Sequence, residues 1–179
     1  RTRRPILEDL ASYLPATLEV ILLATLVAVI IGIPLGVMAA ARRGRIFDQL
    51  TRVVTVAGVS VPTFWLALLA QLLFFGVLGW LPLGGRLGRD VLLSSPLDTV
   101  TGFYLLDALI TGNWPVFIDA ARHLVLPVAV LATYPLCLVA RMTRAQMVEV
   151  LGETYVTAAR ASGVPRGQVL YRLALKNAI

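Results

Sequence analysis

Apolar residues along the chain fall into three long runs, and the polar residues fall between them in short basic or longer mixed stretches. The runs cover residues 17–41, 53–79 and 124–140. A helix needs roughly 20 apolar residues to cross a hydrocarbon core, so each run predicts a membrane span. A fourth apolar helix begins near Leu173 and is cut off at Ile179, and the chain opens on Arg1 rather than Met. The expectation is an all-helical, polytopic membrane protein, present as a fragment with three full spans and the start of a fourth.

Within this frame, Ile6, Leu7, Leu10 and Leu14 recur at helical spacing and predict a short amphipathic segment lying at the interface. Pro15 is then placed near the start of span one, where its missing N–H costs little. Gly32-Ile-Pro34-Leu-Gly36 predicts a bend and a close helix approach, serving either packing or a gating hinge. In span two, Pro62 frees a backbone carbonyl that Ser60 or Thr63 can help satisfy. Ser60, Thr63 and Gln71 are the polar candidates for lining a translocation path, with helix-to-helix hydrogen bonding as the alternative role for Gln71. Residues 80–122, punctuated by Gly84, Gly85, Gly88, Pro96, Gly112 and Pro115, read as a long outer segment with a short helix over 101–110. Trp80, Tyr104, Trp114 and Phe117 suit an interfacial aromatic belt. Pro127 and Pro135 predict a bent third span.

Composition agrees with the pattern: 58% of residues are hydrophobic, 15% are charged, and the mean hydropathy is +0.83. The basic residues then set an orientation. Arg42, Arg43, Arg45 and Arg52 follow span one, and Arg141, Arg144, Arg160, Arg166, Arg172 and Lys176 follow span three. The only acids in these two regions are Asp48, Glu149 and Glu153. By the positive-inside rule both regions face the cytoplasm. The basic isoelectric point therefore reflects one membrane face, and with no aromatic-rich basic groove beside it, nucleic acid is not an expected partner.

Candidate chemistry is sparse. Glu19 is the one ionisable residue in the spans, which contain no Asp or His. An intramembrane enzyme would need a paired or metal-ligating set there, and a secondary transporter would usually carry midplane ionisable groups. Cys137 is the single cysteine, so no internal disulfide and no cysteine zinc motif is expected. His123 has no clustered ligands, and no metal site is expected. Gly84-Gly-Arg-Leu-Gly88 is not followed by Lys-Ser/Thr, so this chain has no P-loop.

The most distinctive stretch is polar. Residues 141–172 form a cytoplasmic segment in which a helix is predicted over about 153–162, ended by Gly163 in the left-handed conformation and followed by a helix starting at Pro165. Leu151, Tyr155, Ala158, Ala159 and Ser162 share one face of it. The alternative is an amphipathic loop resting on anionic lipid. Bulk at Ala159 is expected to matter more than bulk at Val169, across the turn.

Thr157-Ala158-Ala159, with Gly163 after three intervening residues, resembles the Glu-Ala-Ala loop of bacterial ABC-importer permeases, with Thr157 in the place of Glu. Leu14-Pro15-Ala-Thr17-Leu, Gly58-x-Ser60-x-Pro62-x-Phe64-Trp65, His123-Leu-x-Leu-Pro127, Arg141-x-x-Arg144 and Gly152-Glu-x-Tyr155-Val resemble, in order, the dipeptide/oligopeptide branch of that family. The resemblance implies a partial type I ABC-importer transmembrane domain over residues 1–179, in the bacterial inner membrane. It implies a transport subunit and not an enzyme, paired with a second permease subunit, two cytoplasmic ATPases that bind ATP and Mg, and an extracytoplasmic solute-binding protein. Tyr155, Thr157, Ala158, Ala159, Arg160 and Gly163 would then form the ATPase-coupling surface. Branch members handle dipeptides, longer peptides, nickel complexes and sugars, and the substrate stays open among these. A secondary transporter, or another polytopic membrane protein not powered by ATP, is the alternative.

Overall fold

The computed structural model describes residues 6–95 and 97–178, and every regular element among them is helical. The chain divides into two compact units. One comprises Arg1–Ala24 and Thr63–Leu131, the other Thr25–Pro62 and Ala132–Ile179, and two long helices contribute to both.

Helix α1 runs unbroken over Ile6–Ala41. The interfacial segment and the span expected to follow it are therefore one helix, and Pro15 lies inside it instead of at its start. A mid-helix proline removes one backbone hydrogen bond. In lipid no water can take up further broken bonds, so the remaining bonds keep the helix continuous. The amphipathic and apolar stretches also share one helical period, which leaves nothing in the pattern to separate them.

The second apolar run behaves differently. Helix α2 (Ile46–Ser60) ends before Pro62, with Val61 extended at φ −79° and ψ 126°. Helix α3 (Thr63–Gln71) then begins and passes into a π-helical turn, Leu72–Val77. The residue before a proline is pushed out of the helical region, and here it adopts that extended conformation. Span two is thus two helices and not one bent helix. Ser60 does not reach the carbonyl freed by Pro62: its hydroxyl donates to Val56 O at 2.9 Å.

After two short helices, α4 (Arg89–Ser94) and α5 (Tyr104–Ile110), helix α6 extends over Trp114–Val150. It takes in residues 114–122, expected to belong to the outer segment, and continues through Pro127 and Pro135. By length and composition α1 and α6 can each cross a membrane, and the broken pair α2 and α3 can form a third crossing.

In the first unit the N-terminal part of α1 is held by a carboxylate. Glu19 is 4% exposed. It accepts hydrogen bonds from Arg86 Nη2 at 2.9 Å and from the Leu105 N–H at 2.8 Å. Arg86 also donates to Gly102 O at 2.7 Å and lies 3.5 Å from the Tyr104 ring centroid. Asp107 closes the same loop by accepting from the N–H groups of Val100, Thr101 and Gly102 and from the Thr101 hydroxyl. Burial alone would push the Asp107 carboxyl up, but these donors outweigh it and hold the carboxyl below its ordinary value.

In the second unit the glycines of α1 act as contact points for α6. A Cβ added at Gly36 would sit 2.6 Å from Ala140 O and 2.7 Å from Thr143 Cβ, and one at Gly32 would sit 3.0 Å from Val139 Cγ1. Gly58 on α2 is equally close, 2.5 Å from Cys137 Sγ. Small residues let membrane helices approach to backbone contact, so the Gly32/Gly36 pair serves packing here. Gly36→Leu should therefore lower the melting temperature and the yield of inserted protein. Overpacking costs about 1–3 kcal/mol where side chains can shift, and more against the backbone met here. Wild-type thermal stability in purified Gly36→Leu would contradict this contact.

Candidate functional site

The polar segment after α6 folds on a small core of Val37, Ala40, Met147 and Ala174, which packs against Leu151 and Leu170. The chain leaves α6 through a turn at residues 151–153 and enters α7 (Thr154–Ala161) with Glu153 in an extended conformation at its N-cap. Val156 is the one side chain of α7 that is fully buried, and it fixes the rotation of the helix. Tyr155, Thr157, Ala158 and Arg160 are exposed, while Ala159 is half-buried. Tyr155 is further tied by its hydroxyl, which accepts from Asn177 Nδ2 at 3.0 Å.

The C-terminus of α7 is closed by two reversed hydrogen bonds. Val164 N–H donates to Ala159 O at 3.1 Å, and Gly163 N–H donates to Arg160 O at 3.1 Å. This is the Schellman arrangement, which requires a left-handed residue at the turn. Gly163 supplies it with φ +78°. A Cβ there would meet nothing within 4 Å, so the cost of substitution is backbone strain alone, about 1–2 kcal/mol. Gly163→Val should leave the long helices inserted and lower the melting temperature. Wild-type thermal stability in that variant would mean that the cap does not need a glycine. Pro165 follows as the N-cap of α8 (Arg166–Gln168), which continues as a π-helical turn over Val169–Ala174 and ends in α9 (Leu175–Ala178).

The sequence-derived set Tyr155, Thr157, Ala158, Ala159, Arg160 and Gly163 thus lies on one helix and its cap. Two points differ from expectation. Val156 was overlooked, although its place between exposed neighbours on a short helix is the signal of an anchor. Val169, expected to be a permissive control position, is 1% exposed, because the turn folds it under the segment. Bulk there would disrupt the core.

The path candidates divide. Thr63 and Gln71 line one cavity of about 430 Å³ in the first unit, walled mostly by apolar side chains such as Phe64, Leu126 and Val130. Gln71 is committed on one side, donating from Nε2 to Leu83 O at 3.1 Å. Ser60 belongs to the second unit and does not line that cavity.

A buried ion pair joins α2 to α6 in the second unit, and the sequence pattern holds no sign of it. Asp48, in the first turn of α2 and ahead of the apolar run at residue 53, is 1% exposed. Its Oδ1 accepts from Arg144 Nε, and its Oδ2 accepts from Arg144 Nη2 at 2.9 Å and from the Gly44 N–H at 3.0 Å. Arg144 lies on the C-terminal end of α6, past the third apolar run. Its guanidinium outweighs the effect of burial and, with the Gly44 N–H, holds the Asp48 carboxyl down at about 2.

Comparison with known proteins bears on this arrangement. A family model described as "Binding-protein-dependent transport system inner membrane component" matches residues 32–179. The whole chain is 49% identical to the probable D,D-dipeptide transport system permease protein DdpB of Escherichia coli (strain K12), covering 52% of that protein. It is 41% identical to the dipeptide transport system permease protein DppB of Alkalihalophilus pseudofirmus, with 100% of this chain and 53% of that protein covered. It is 44% identical to the di/tripeptide transport system permease protein DppB of Pseudomonas aeruginosa (strain UCBPP-PA14), with 99% and 52% covered. The chain spans about half the length of the curated relatives it matches. With the family match running from mid-α1 through the capped helix α7 to the last residue, the chain belongs to the binding-protein-dependent transport system inner membrane components.

Proposed function

We propose that this chain is part of the transmembrane permease subunit of an ATP-driven importer of short peptides in the bacterial cytoplasmic membrane. The observation that carries the coupling role is α7: an eight-residue helix anchored by one buried valine, closed by a glycine cap, and exposing Ala158 and Arg160. Such a rigid, small-surfaced helix can take a push from a partner as a rigid body, with no chemistry in this chain. ATP and Mg would be bound by two separate ATPase subunits. A second permease subunit would complete the path, and an extracytoplasmic solute-binding protein would deliver substrate. The peptide reading rests on the relatives, whose names specify dipeptides or di/tripeptides. Thr63 and Gln71, on their shared cavity, are the candidates for the path.

Glu19 weighs against a secondary transporter. Both its oxygens accept hydrogen bonds within the first unit, one from Arg86, so the single acid of the three apolar runs is committed to holding the loop. The deciding experiment is uptake by the full-length complex in proteoliposomes. Dipeptide uptake should require ATP, the ATPase subunits and the binding protein together. Uptake driven by an ion gradient without ATP would overturn the proposal. The orientation has its own check: cysteines replacing Arg43 and Arg160 should be labelled from the cytoplasmic side and one replacing Arg89 from the opposite side. Labelling of all three from one side would refute the span assignment.

A further inference from the structure

We propose that the second unit contains a binding site for the phosphate of an anionic phospholipid of the cytoplasmic leaflet. A cavity of about 670 Å³ is lined by Arg42, Arg43, Arg45, Arg160 and Arg166, with no acidic side chain among its lining residues. These arginines come from two distant parts of the chain, the turn after α1 and the segment around α7, and the fold brings them to one space. None of the five forms an ion pair among the described residues. The nearest carboxylate in sequence, Asp48, is taken up by Arg144 and the Gly44 N–H. Arg166 donates one bond to Ala41 O at 3.1 Å and Arg42 lies 5.1 Å from the Phe47 ring centroid, which orients both without neutralising them.

Five guanidinium groups around one concave space repel each other unless an anion enters, and guanidinium matches phosphate oxygens in bidentate geometry. Two features favour a lipid over an acidic protein surface. The volume is within the range of a small-ligand site and is enough for a lipid headgroup. The arginines of the turn also begin directly after the last residue of α1, a helix long and apolar enough to cross a membrane, and apolar side chains such as Leu151 line the same cavity for the start of an acyl chain. Basic pockets at the cytoplasmic ends of membrane helices bind lipid phosphates in this way. The inference rests on the cytoplasmic placement of the 42–45 turn and does not depend on which substrate is carried.

The test uses the full-length transporter complex in nanodiscs of phosphatidylcholine containing a minor fraction of phosphatidylglycerol, with the lipid retained through detergent extraction read by native mass spectrometry. Phosphatidylglycerol should be retained in preference to phosphatidylcholine. Arg43→Gln combined with Arg45→Gln should lower its retention about thirtyfold. The double Arg→Lys variant should fall between wild type and the glutamine variant, since charge is preserved and the bidentate geometry is lost, and equal melting temperatures would show that all three proteins are folded. Equal retention of both lipids, or unchanged retention in the glutamine variant, would overturn the proposal. So would loss of the ATPase subunits from the glutamine variant with lipid retention intact, which would assign the cavity to an acidic surface of the partner. Displacement of the lipid by inorganic phosphate or ATP would assign it to a soluble phosphate. Labelling of a cysteine at Arg43 from the outer side would instead refute the orientation, a failure separate from that of anion binding itself.

Discussion

Ala158→Trp should strip the ATPase subunits from the purified complex while leaving the permease folded and inserted. Ala158 is exposed on α7, whereas the helix is held to its own chain by the opposite position, Val156, at 0% exposure. An indole at residue 158 therefore leaves the chain's core untouched and projects only into whatever docks on the helix. Filling a close interface with excess volume costs about 1–3 kcal/mol, an affinity loss of about fivefold to 150-fold. Ala159, which shares the small-residue motif, is half-buried, so bulk there would mix docking with internal strain. The suitable control is Gln168→Trp, an exposed position on α8 across the Gly163 turn. Pull-down with the ATPase subunits and substrate-stimulated ATP hydrolysis should fall for Ala158→Trp and stay near wild type for Gln168→Trp. If both variants assembled fully, α7 would not be the docking surface.

What the sequence made legible follows from local physics, and what it hid depends on distant partners. The left-handed cap at Gly163 and the restart after Pro165 are properties of a few adjacent residues, and both are found as expected. The prolines show the limit of local reading. Pro62 breaks its helix because Val61 turns extended, while Pro15, Pro34, Pro127 and Pro135 lie within unbroken helices. No residue type at those positions distinguishes the two outcomes. Tertiary packing does, as where Gly32 and Gly36 on either side of Pro34 press against α6. Glu19 looked like an isolated intramembrane acid, and its partner Arg86 is 67 positions away in the sequence. The same holds for the cationic cavity: the arginines were visible as two clusters on one membrane face, but not as the lining of one space.

Breaking the Asp48–Arg144 pair should destabilise the second unit more than any surface change. Arg144→Met removes the guanidinium and leaves Asp48, 1% exposed, with only the Gly44 N–H and the more distant Arg52, whose Nη2 lies 3.9 Å from Oδ2. Stranding a buried charge costs about 3–5 kcal/mol, and because the Arg144 side chain keeps 19% of its exposure the lower end applies, about 3 kcal/mol. Replacing Asp48 by Asn in the same background should recover part of that loss, since the stranded charge is then gone. The pH dependence has a fixed sign. The Asp48 carboxyl is held at about 2 in the folded protein against an ordinary 3.8, so its stabilisation is present above the ordinary value and is lost as pH falls from there towards 2. Wild-type melting temperature in detergent should therefore drop across that acid window. Arg144→Met should start lower at neutral pH and lose less over the same window, because the partner that depresses the carboxyl is absent. Parallel pH profiles for the two proteins would mean that the pair does not hold the start of α2 to the C-terminal part of α6, and the second unit would have to be held there by its apolar core alone.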